Sequence, residues 1–441
     1  MAPATIGLGG FLLALALVAL RVPLAHALIA LSAAGLLLLN ATDGTDGALQ
    51  QTGAQILEIM QGLVATEALA MVPLFVALGN IAFYSGITTR IYDAAAVWLR
   101  PLPGGLAVAS VLGCGGFAAI SGSSVGCAST MGRICVPEMR AAGYDPRLAA
   151  ASVAAGGTLG GLIPPSVLFI LFAVFSGIPV ERLFMAGILP GLLSLAGMVG
   201  VIGWWVRQDP AAAPPAPQTG PGRAEAALAA WPALLVLAII MGGIGTGLWD
   251  ATGAAAISLA LVVGLGLVQG RLAPDVLLRA ARESLMQSAA LVLVILGARL
   301  FLAFLTQSGL DAMVADGIAG AQVPVVVLLM VLVVLYLVLG LFLDPVTILV
   351  LTLPFMLPLV QGYGMDSIWF AVVIVKLLEI GMITPPVGLN VFVIGNVARD
   401  VGVDRIFSGV ARFLGIDLLV LLVIVLVPAL STLIPSLMAA G

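Results

Sequence analysis

Two short stretches decide how this chain folds. The first is GTLGGLIPPS, residues 157–166, and the second is EIGMITPPVG, residues 379–388. Each lies within a long apolar run, where adjacent prolines interrupt an α-helix because each ring removes an N–H donor and clashes with the preceding turn. Lipid cannot satisfy the freed backbone groups, so a helix broken at that depth must lie inside protein or face a watery cavity. Two such breaks in matching places of two halves indicate the binding site of a transporter.

The composition places the chain in a membrane. Of the 441 residues, 62% are hydrophobic and 9% are charged. The mean hydropathy is +1.22, and several apolar runs exceed the ~20 residues that a bilayer requires. The predicted fold class is therefore an all-α polytopic membrane protein. The chain has one histidine, and its three cysteines lie in one apolar region, where they fit small core residues. Neither an enzyme nor a nucleic-acid-binding protein is indicated.

Each half also contains a predicted re-entrant hairpin. The first occupies residues 103–138, with a serine-rich tip at 121–124, and its second arm is short for a full span. The second occupies residues 323–360, with Asp344 at its tip. An ionisable side chain in such an apolar hairpin is energetically costly and usually functional. We therefore expect each hairpin tip and the helix break of its half to meet near the middle of the membrane.

A shift of 221 positions aligns the two halves. It pairs Pro137 with Pro358, Gly143 with Gly364, Asp145 with Asp366, Ser123 with Asp344, Gly160 with Gly381, and Pro164-Pro165 with Pro385-Pro386. Because the hairpins enter from opposite sides, the repeat is predicted to be inverted in the membrane. Helix ends that meet there would offer positive dipoles to an anion and free carbonyls to a cation.

The arginines predict the orientation in the membrane. If the N-terminus lies in the periplasm, fourteen arginines fall on the cytoplasmic side and Arg182 falls outside. The acid-only stretches around Asp43, Asp250 and Asp311 then also lie outside. This bias is the one that the positive-inside rule describes.

Several motifs carry a resemblance to a known family. They are GFAAISGSS at 116–124, PEM at 137–139 with GYD at 143–145, LIPPS at 162–166, LFMAG at 183–187, Asp344-Pro345, and EIGMITPPVGLN at 379–390. With these motifs the chain closely resembles the large membrane subunit of tripartite ATP-independent periplasmic (TRAP) transporters over nearly its whole length. One departure is Thr252-Gly253, where the family often has Thr-Glu.

The resemblance implies sodium-driven uptake of a small organic acid across the bacterial inner membrane, for example a C4-dicarboxylate, a sugar acid or a keto acid. It implies sodium bound at about two sites and no organic cofactor. The implied partners are a separate small four-helix membrane subunit, a periplasmic substrate-binding protein and the surrounding membrane lipid. It also implies an elevator mechanism, in which a transport domain slides against a scaffold.

On that basis the chain divides into five predicted parts. They are N-terminal scaffold helices with a lateral arm at 1–100, the first half of the transport domain at 101–182, scaffold helices at 183–322 with a cytoplasmic linker at 208–225, the second half of the transport domain at 323–404, and a C-terminal scaffold helix at 405–441.

Polar residues at the tips and breaks are the predicted site. Sodium is a hard cation that prefers oxygen ligands, so hydroxyls, carbonyls and a carboxylate are its expected partners. The predicted sodium ligands are Ser121, Ser123, Gly381 and Thr384 in one site and Thr158, Gly161, Asp344 and Thr347 in the other. The predicted substrate contacts are Ser124, Ser166, Thr384, Asn390 and Arg299.

These residues also have structural alternatives. The serines would allow close helix packing, Asp344 would cap the helix that follows it, and polar residues of the second break would cap the broken ends. Lys376 and Glu379 are three positions apart on one helix face and are predicted to pair with each other. Arg299 would clamp a carboxylate, pair with an acid or brace a hairpin.

Other functions fit the same pattern. One is a stand-alone sodium/divalent-anion symporter, or a proton-coupled exporter, of similar inverted architecture. Another is a membrane receptor or scaffold that binds a periplasmic protein without transporting anything. Reconstituting the chain alone separates the stand-alone transporter from a subunit, and absence of flux despite complex formation would indicate the receptor.

Overall fold

The structure is a computed structural model that describes residues 2–42, 47–215 and 222–440. All regular elements within those ranges are helices, as the apolar composition predicts. Asp43 and Asp46 of the predicted polar segment lie outside the described residues.

The first half contains eleven helices. They are α1 (Pro3–Ala19), α2 (Leu24–Thr42), α3 (Ala48–Val64), α4 (Glu67–Tyr84), α5 (Ile87–Leu99), α6 (Gly105–Ser121), α7 (Ser124–Ala141), α8 (Pro146–Gly157), α9 (Leu159–Leu162), α10 (Val167–Ser176) and α11 (Val180–Gln208). Helices α6 and α7 form the first hairpin, here called hairpin 1. Helices α8, α9 and α10 form the first broken helix, whose interruption is called break 1.

The second half follows a 3-10 turn at Pro210–Ala212. It contains α12 (Arg223–Ala229), α13 (Trp231–Gly245), α14 (Ala251–Val268), α15 (Pro274–Ser308), α16 (Leu310–Gly320), α17 (Val325–Gly340), α18 (Pro345–Gly362), α19 (Ser367–Gly381), α20 (Leu389–Val397), α21 (Val403–Leu426) and α22 (Ala429–Ala440). Helices α17 and α18 form hairpin 2, and α19 and α20 flank break 2.

The lengths and apolar character of the helices fit a protein that crosses the membrane many times. In the described residues seven spans are long and apolar enough, with α8 to α10 taken as one, and two bent pairs, α3 with α4 and α12 with α13, raise the total to nine. Helix starts follow capping and proline signals, since Asp250 caps α14 and prolines occupy the first position of α15 and α18. The polytopic prediction is confirmed.

Two boundaries expected from the apolar runs were wrong. The sequence predicts an amphipathic arm at 271–283 and a separate span at 287–306, but the structure has one continuous helix of 35 residues, α15. It predicts a single last span at 406–434, but the structure has two helices, because Pro428 offers no N–H donor where α21 ends and α22 begins. The segment predicted to be polar, at 40–65, contains α3 in most of its described part.

The helices pack in two groups. Helices α1, α2, α4, α14 and α15 pack on one another, while both hairpins and both broken helices pack with α11 and α21. Helix α21 lies against α8, and α11 lies against α19 and α21. Helices α11 and α21, which the domain prediction assigns to the scaffold, thus pack against the broken helices. How the chain divides into moving bodies stays a prediction.

The described start of the predicted linker at 208–225 is packed against the protein. The Ala212 carbonyl accepts a hydrogen bond from the Asp145 N–H at 2.8 Å, and the Ala213 carbonyl accepts one from the Gly104 N–H at 3.2 Å. Ala212 and Ala213 are both buried. This segment therefore covers the N-terminal ends of α6 and α8.

Candidate functional site

Break 1 is an enclosed interruption. Helix α8 starts at its Asp145 cap, continues to Gly157, and passes through the single turn of α9 to the cis Pro164-Pro165 peptide. Ser166 then caps α10 by accepting a hydrogen bond from the Phe169 N–H at 3.5 Å. Both prolines and Ser166 are buried, so the freed backbone groups lie inside protein, as the sequence predicts.

Break 2 also has a proline pair between two helices but is more open. Helix α19 ends at Gly381, and Pro385-Pro386 is again a cis peptide. Both prolines are exposed. The Thr384 hydroxyl donates to the Ile380 carbonyl at 2.6 Å, so this residue caps the broken helix end, which was its structural alternative.

The tip of hairpin 1 rests on break 1. Gly122 has a positive φ of 62°, and its carbonyl accepts a hydrogen bond from the Val167 N–H at 3.3 Å. A Cβ at Gly122 would overlap the Pro165 carbonyl oxygen, so glycine is required by this approach as well as by its φ. Ser123 caps α7 by accepting from the Gly126 N–H at 3.1 Å.

The tip of hairpin 2 is held by a cap. The Asp344 carboxylate accepts hydrogen bonds from the Thr347 N–H, at 3.0 Å, and from the Thr347 hydroxyl. The capping alternative for Asp344 is therefore confirmed, and its sodium role stays a prediction. Gly340 at the end of α17 lies against Gly381, and a Cβ on Gly381 would come within 2.9 Å of the Gly340 Cα. Hairpin 2 thus contacts break 2 through two glycines.

Contacts between the halves bring hairpin 1 to both breaks. The Ser124 hydroxyl donates to Glu379 Oε1 at 2.6 Å, which joins the start of α7 to α19. The Asn390 amide donates to the Ala154 carbonyl at 3.3 Å, which joins α20 to α8. Glycines make the approach possible, because a Cβ at Gly160 would lie 2.7 Å from the Ser124 backbone nitrogen. The site is therefore built from both halves of the chain.

Three buried oxygens in this region have no hydrogen-bond partner among the described residues. They are Ser121 Oγ, Glu379 Oε2 and Asn390 Oδ1. A buried polar atom without a partner is costly and calls for an explanation such as a bound ion or water. An arrangement of hydroxyl, amide, carboxyl and backbone carbonyl oxygens is suited chemically to a hard cation and to hydrogen bonding with an acid.

Of the remaining predicted site residues, Thr158 and Arg299 lie apart from these contacts and Gly161 does not. The Thr158 hydroxyl donates to the Ala155 carbonyl at 2.7 Å, within its own helix. Gly161 lies directly against the Glu379 carboxyl group. Arg299 lies on α15 in the other packing group, half-buried, and its Nε has no partner among the described residues. The structure does not place Arg299 in contact with either hairpin tip.

The predicted pairing of Lys376 with Glu379 was wrong. The Lys376 ammonium donates to Asp417 Oδ1 at 2.5 Å and to Ser194 Oγ at 3.1 Å, and all three side chains are buried. Glu379 instead accepts from Ser124. Lys376 and Glu379 lie on the same helix, but Lys376 faces α21 and Glu379 faces α7. Lys376 therefore pairs with Asp417 of α21, while Glu379 accepts from Ser124 of α7.

Asp417 and Ser194 were missed at the level of sequence. Asp417 is the single charge in the apolar run from Phe413 to Leu426, and an ionisable residue within a membrane span is by default a functional or pairing candidate. That signal was present and identifies Asp417. Ser194 carries no comparable signal, since a serine in an apolar helix often bonds to its own backbone, as it also does here to the Pro190 carbonyl.

Comparison with known proteins identifies the family. The family described as the DctM component of tripartite ATP-independent periplasmic transporters matches residues 11–430. The chain belongs to this family. It is 32% identical to the C4-dicarboxylate TRAP transporter large permease protein DctM of Pseudomonas aeruginosa, over 83% of this chain and 86% of that protein. The family members are transport permeases rather than enzymes.

Two further likenesses extend this result. The chain is 31% identical to the isethionate TRAP transporter permease protein DctMQ of Oleidesulfovibrio alaskensis, over 81% of this chain but only 56% of that longer protein. It also resembles the crystal structure of the Alcanivorax borkumensis YdaH transporter, with a TM-score of 0.60, 16% identity and 90% of each chain covered. The second likeness concerns the fold alone.

Proposed function

We propose that this chain is the large permease of a sodium-coupled secondary transporter that takes up a small organic acid across the inner membrane. The observation that carries the proposal is the meeting of hairpin 1 with both breaks, through the Ser124–Glu379 hydrogen bond and the close approach of Gly160 to Ser124. The hydrogen bond from Asn390 to the Ala154 carbonyl joins the two broken helices beside it. Residues that are distant in sequence form one polar region within apolar helices. Such a region has the chemistry of a binding site rather than of a packing core.

The helix ends at this region suit a cation and an anion together. Helices α6, α8, α17 and α19 end at the tips and breaks, and their last carbonyls carry partial negative charge. Helices α7, α10, α18 and α20 begin there, and their free N–H groups favour an anion. We assign the carbonyl ends to two sodium sites. Ser121 belongs to one site, and the spare lone pairs of Asp344 belong to the other.

The substrate is proposed to be a small organic anion. The two relatives described above are named for C4-dicarboxylates and for isethionate, which are both small acids. Ser166 and the second amide hydrogen of Asn390 would supply neutral hydrogen-bond donors, so the anion would be held by donors and helix dipoles. The hydroxyls of Ser124 and Thr384 would join them only by leaving Glu379 and the Ile380 carbonyl. Arg299 is left outside this set because it lies on α15, away from the tips.

The partners follow from the family. The proposed partners are a small membrane subunit and a periplasmic binding protein that would deliver the substrate, since the family is that of tripartite periplasmic transporters. The chain would lie in the inner membrane with its N-terminus in the periplasm. The halves would be related by an inverted repeat.

Movement is proposed to follow an elevator mechanism. The tip of hairpin 1 lies on α4, where a Cβ at Gly79 would come within 3.1 Å of the Ser121 Cα. Val72 and Phe75 of α4 line a small apolar cleft with Ser121 and Gly122. A smooth apolar contact of this kind allows sliding of the hairpin group against α4 without breaking polar bonds.

The test is uptake in proteoliposomes. The purified chain is reconstituted with its small subunit, and uptake of labelled C4-dicarboxylates and isethionate is measured with the binding protein outside. We expect uptake to require an inward sodium gradient, the small subunit and the binding protein. Equal uptake with potassium in place of sodium would contradict the coupling, and equal uptake by the chain alone would favour the stand-alone symporter.

A further inference from the structure

A cleft where α8 and α21 begin has no part in the proposed function. Its volume is about 440 Å³, and the residues that line it are Asp145, Pro146, Arg147, Arg405 and Ser408. The first three belong to the first half of the chain and the last two to the second half. Two arginines from distant parts of the sequence therefore line one cleft.

The two helices approach each other closely beside this cleft. A Cβ at Gly409 of α21 would come within 2.7 Å of the Arg147 carbonyl oxygen and 2.8 Å of the Ala151 Cβ. Glycine is the residue that lets two backbones meet this closely. The spacing of the helices that carry Arg147 and Arg405 is therefore fixed by packing, and the cleft does not depend on a ligand to form.

The arginines keep hydrogen-bond donors for a ligand. Arg147 donates to the Asp145 carboxylate through Nε, at 3.2 Å and 3.1 Å, and through Nη2, at 2.7 Å. Its Nη1 makes no hydrogen bond within the described ranges. Arg405 is exposed, and its guanidinium forms no ion pair in the part of the chain that the structure describes. All five of its N–H donors are therefore available.

The lining carries a surplus of positive charge, since two guanidiniums share one carboxylate. Two further charges act on the lining from outside and oppose each other, because Arg412 acts on the carboxylate and Asp209 acts on Arg147. Asp404 precedes Arg405 in the sequence but does not line the cleft. A cleft with one surplus positive charge suits an anion with a single negative charge.

The cleft lies close to the boundary of the membrane. The apolar run of α21 begins at Phe413, and the Arg412 guanidinium lies 4.0 Å from the centre of the Trp205 ring. Tryptophan at such a position is typical of the membrane interface. Ser408 and Arg405 lie about 8–12 Å before Phe413 along the helix, at 1.5 Å per residue. That is the level of the lipid headgroups rather than of the hydrocarbon core.

We propose that this cleft binds a phosphate group, which is held between Arg147 of α8 and Arg405 of α21. The planar fork of arginine places parallel N–H donors on two phosphate oxygens, and a phosphodiester carries the single negative charge that the lining can balance. A bound phosphate would join the two halves of the chain at their outer ends. The same group is available from an anionic lipid headgroup and from free phosphate in water, and the depth of the cleft favours the headgroup.

Thermal unfolding of the full chain tests the site without transport. The chain is stripped of lipid in an uncharged detergent, and dioctanoyl phosphatidylglycerol, potassium phosphate or dioctanoylglycerol is added at constant ionic strength. A ligand that binds only the folded chain raises the melting temperature. A saturable rise with phosphatidylglycerol alone supports a headgroup, and a rise with potassium phosphate as well supports free phosphate. No rise with either, or an equal rise with dioctanoylglycerol, which lacks the phosphate, would overturn the proposal.

Arg405→Ala provides the decisive variant, because this side chain is exposed and its loss breaks no ion pair. We expect it to melt as the wild type does without ligand and to bind the phosphate compound at least about tenfold more weakly, since a charge-assisted hydrogen bond is lost. Arg405→Lys should fall between the two, because it keeps the charge and loses the fork. If Arg405→Ala does not fold, Arg405→Gln replaces it with the same expectation.

The matched control is Arg282→Ala, which removes an exposed arginine from α15 and changes the net charge by the same amount. We expect it to bind the phosphate compound with wild-type affinity. Equal weakening in Arg282→Ala and Arg405→Ala would show diffuse attraction to a basic surface, and wild-type affinity in Arg405→Ala would show binding elsewhere. Either result would overturn the proposal. Neither measurement involves sodium or substrate, so the proposed function is tested separately.

Discussion

Thr158 in break 1 and Glu379 in break 2 occupy equivalent positions, 221 residues apart, as do Ser123 and Asp344 at the two tips. In each pair the first half carries a hydroxyl and the second half carries an acid. The proline pairs also differ in exposure between the halves, since Pro164 and Pro165 are buried whereas Pro385 and Pro386 are exposed. Asp344 at the second tip is exposed as well.

The difference teaches that the shared features serve the fold and the divergent ones serve the chemistry. Both halves keep the proline pair, the glycines and the capped helix starts that build a hairpin against a broken helix. The buried charged side chains of the described residues, by contrast, all lie in the second half and are Lys376, Glu379 and Asp417. The buried charges of the second half are therefore the main chemical difference between two halves that share one plan.

The largest effect is expected from Lys376→Met, which breaks the charge balance of the second half. It leaves Asp417 buried without its cation, and removing one partner of a buried ion pair costs about 3–5 kcal/mol. We expect a large drop in melting temperature of the purified protein, measured by thermal unfolding in detergent.

The matched control removes both charges. Lys376→Met combined with Asp417→Leu should recover most of the lost stability, since neither charge is then left alone. A double variant as unstable as the single one would show that the pair is not what holds these helices together.

The second-largest effect is expected when a glycine of each break is replaced by alanine. Gly160→Ala would place a Cβ 2.7 Å from the Ser124 nitrogen, and Gly381→Ala would place one 2.9 Å from the Gly340 Cα. Overpacking against backbone costs about 1–3 kcal/mol, so both variants should melt at lower temperature. Gly264→Ala, in open space on α14, should be neutral or slightly stabilising. Wild-type melting of either break variant would contradict the close approach.

A smaller effect is expected at Asp344, where two substitutions separate the role of the helix cap from that of the negative charge. Asp344→Asn keeps a good N-cap, so stability should be nearly unchanged while the sodium dependence of uptake weakens. Asp344→Ala and its counterpart Ser123→Ala each lose a cap, which costs about 0.5–2 kcal/mol. A wild-type sodium response in Asp344→Asn would remove this residue from the sodium site.

The smallest effect concerns acid stability at the start of α8, outside the span. Partial burial raises the pKa of Asp145, but hydrogen bonds and charge from Arg147 outweigh it, so the pKa is lowered. Stability from a lowered pKa is present above the unfolded value and lost as pH falls through the native one. The melting temperature should therefore decline below about pH 4. Asp145→Asn should remove this part of the decline, and an unchanged acid limb would contradict it.

Sequence reasoning reached the architecture because its signals are local. Proline pairs, capping acids such as Asp366, and apolar length depend on neighbouring residues, and the structure has both hairpins and both breaks where they were predicted. The joining of the predicted arm to its span in α15 was missed because the residues between them are compatible with either a turn or a helix.

The partners of buried polar groups were less predictable. Whether Lys376 pairs with Glu379 or Asp417 depends on how α19 packs against α21 and α7, and spacing along one helix does not contain that information. The same holds for Ser124, whose contact with Glu379 joins positions 255 residues apart. Arg299 was assigned to the substrate on its chemistry alone, whereas its position was set by the packing of α15.

The central claim is that the two hairpin tips and the two breaks together bind sodium. Its most direct test is the melting temperature of the purified protein in sodium, potassium and choline chloride at equal ionic strength, since a ligand that binds only the folded state stabilises it. The account predicts a rise in sodium alone, which is reduced in Asp344→Asn and in Ser121→Ala. An equal rise in potassium, or a sodium effect that neither variant changes, would contradict it.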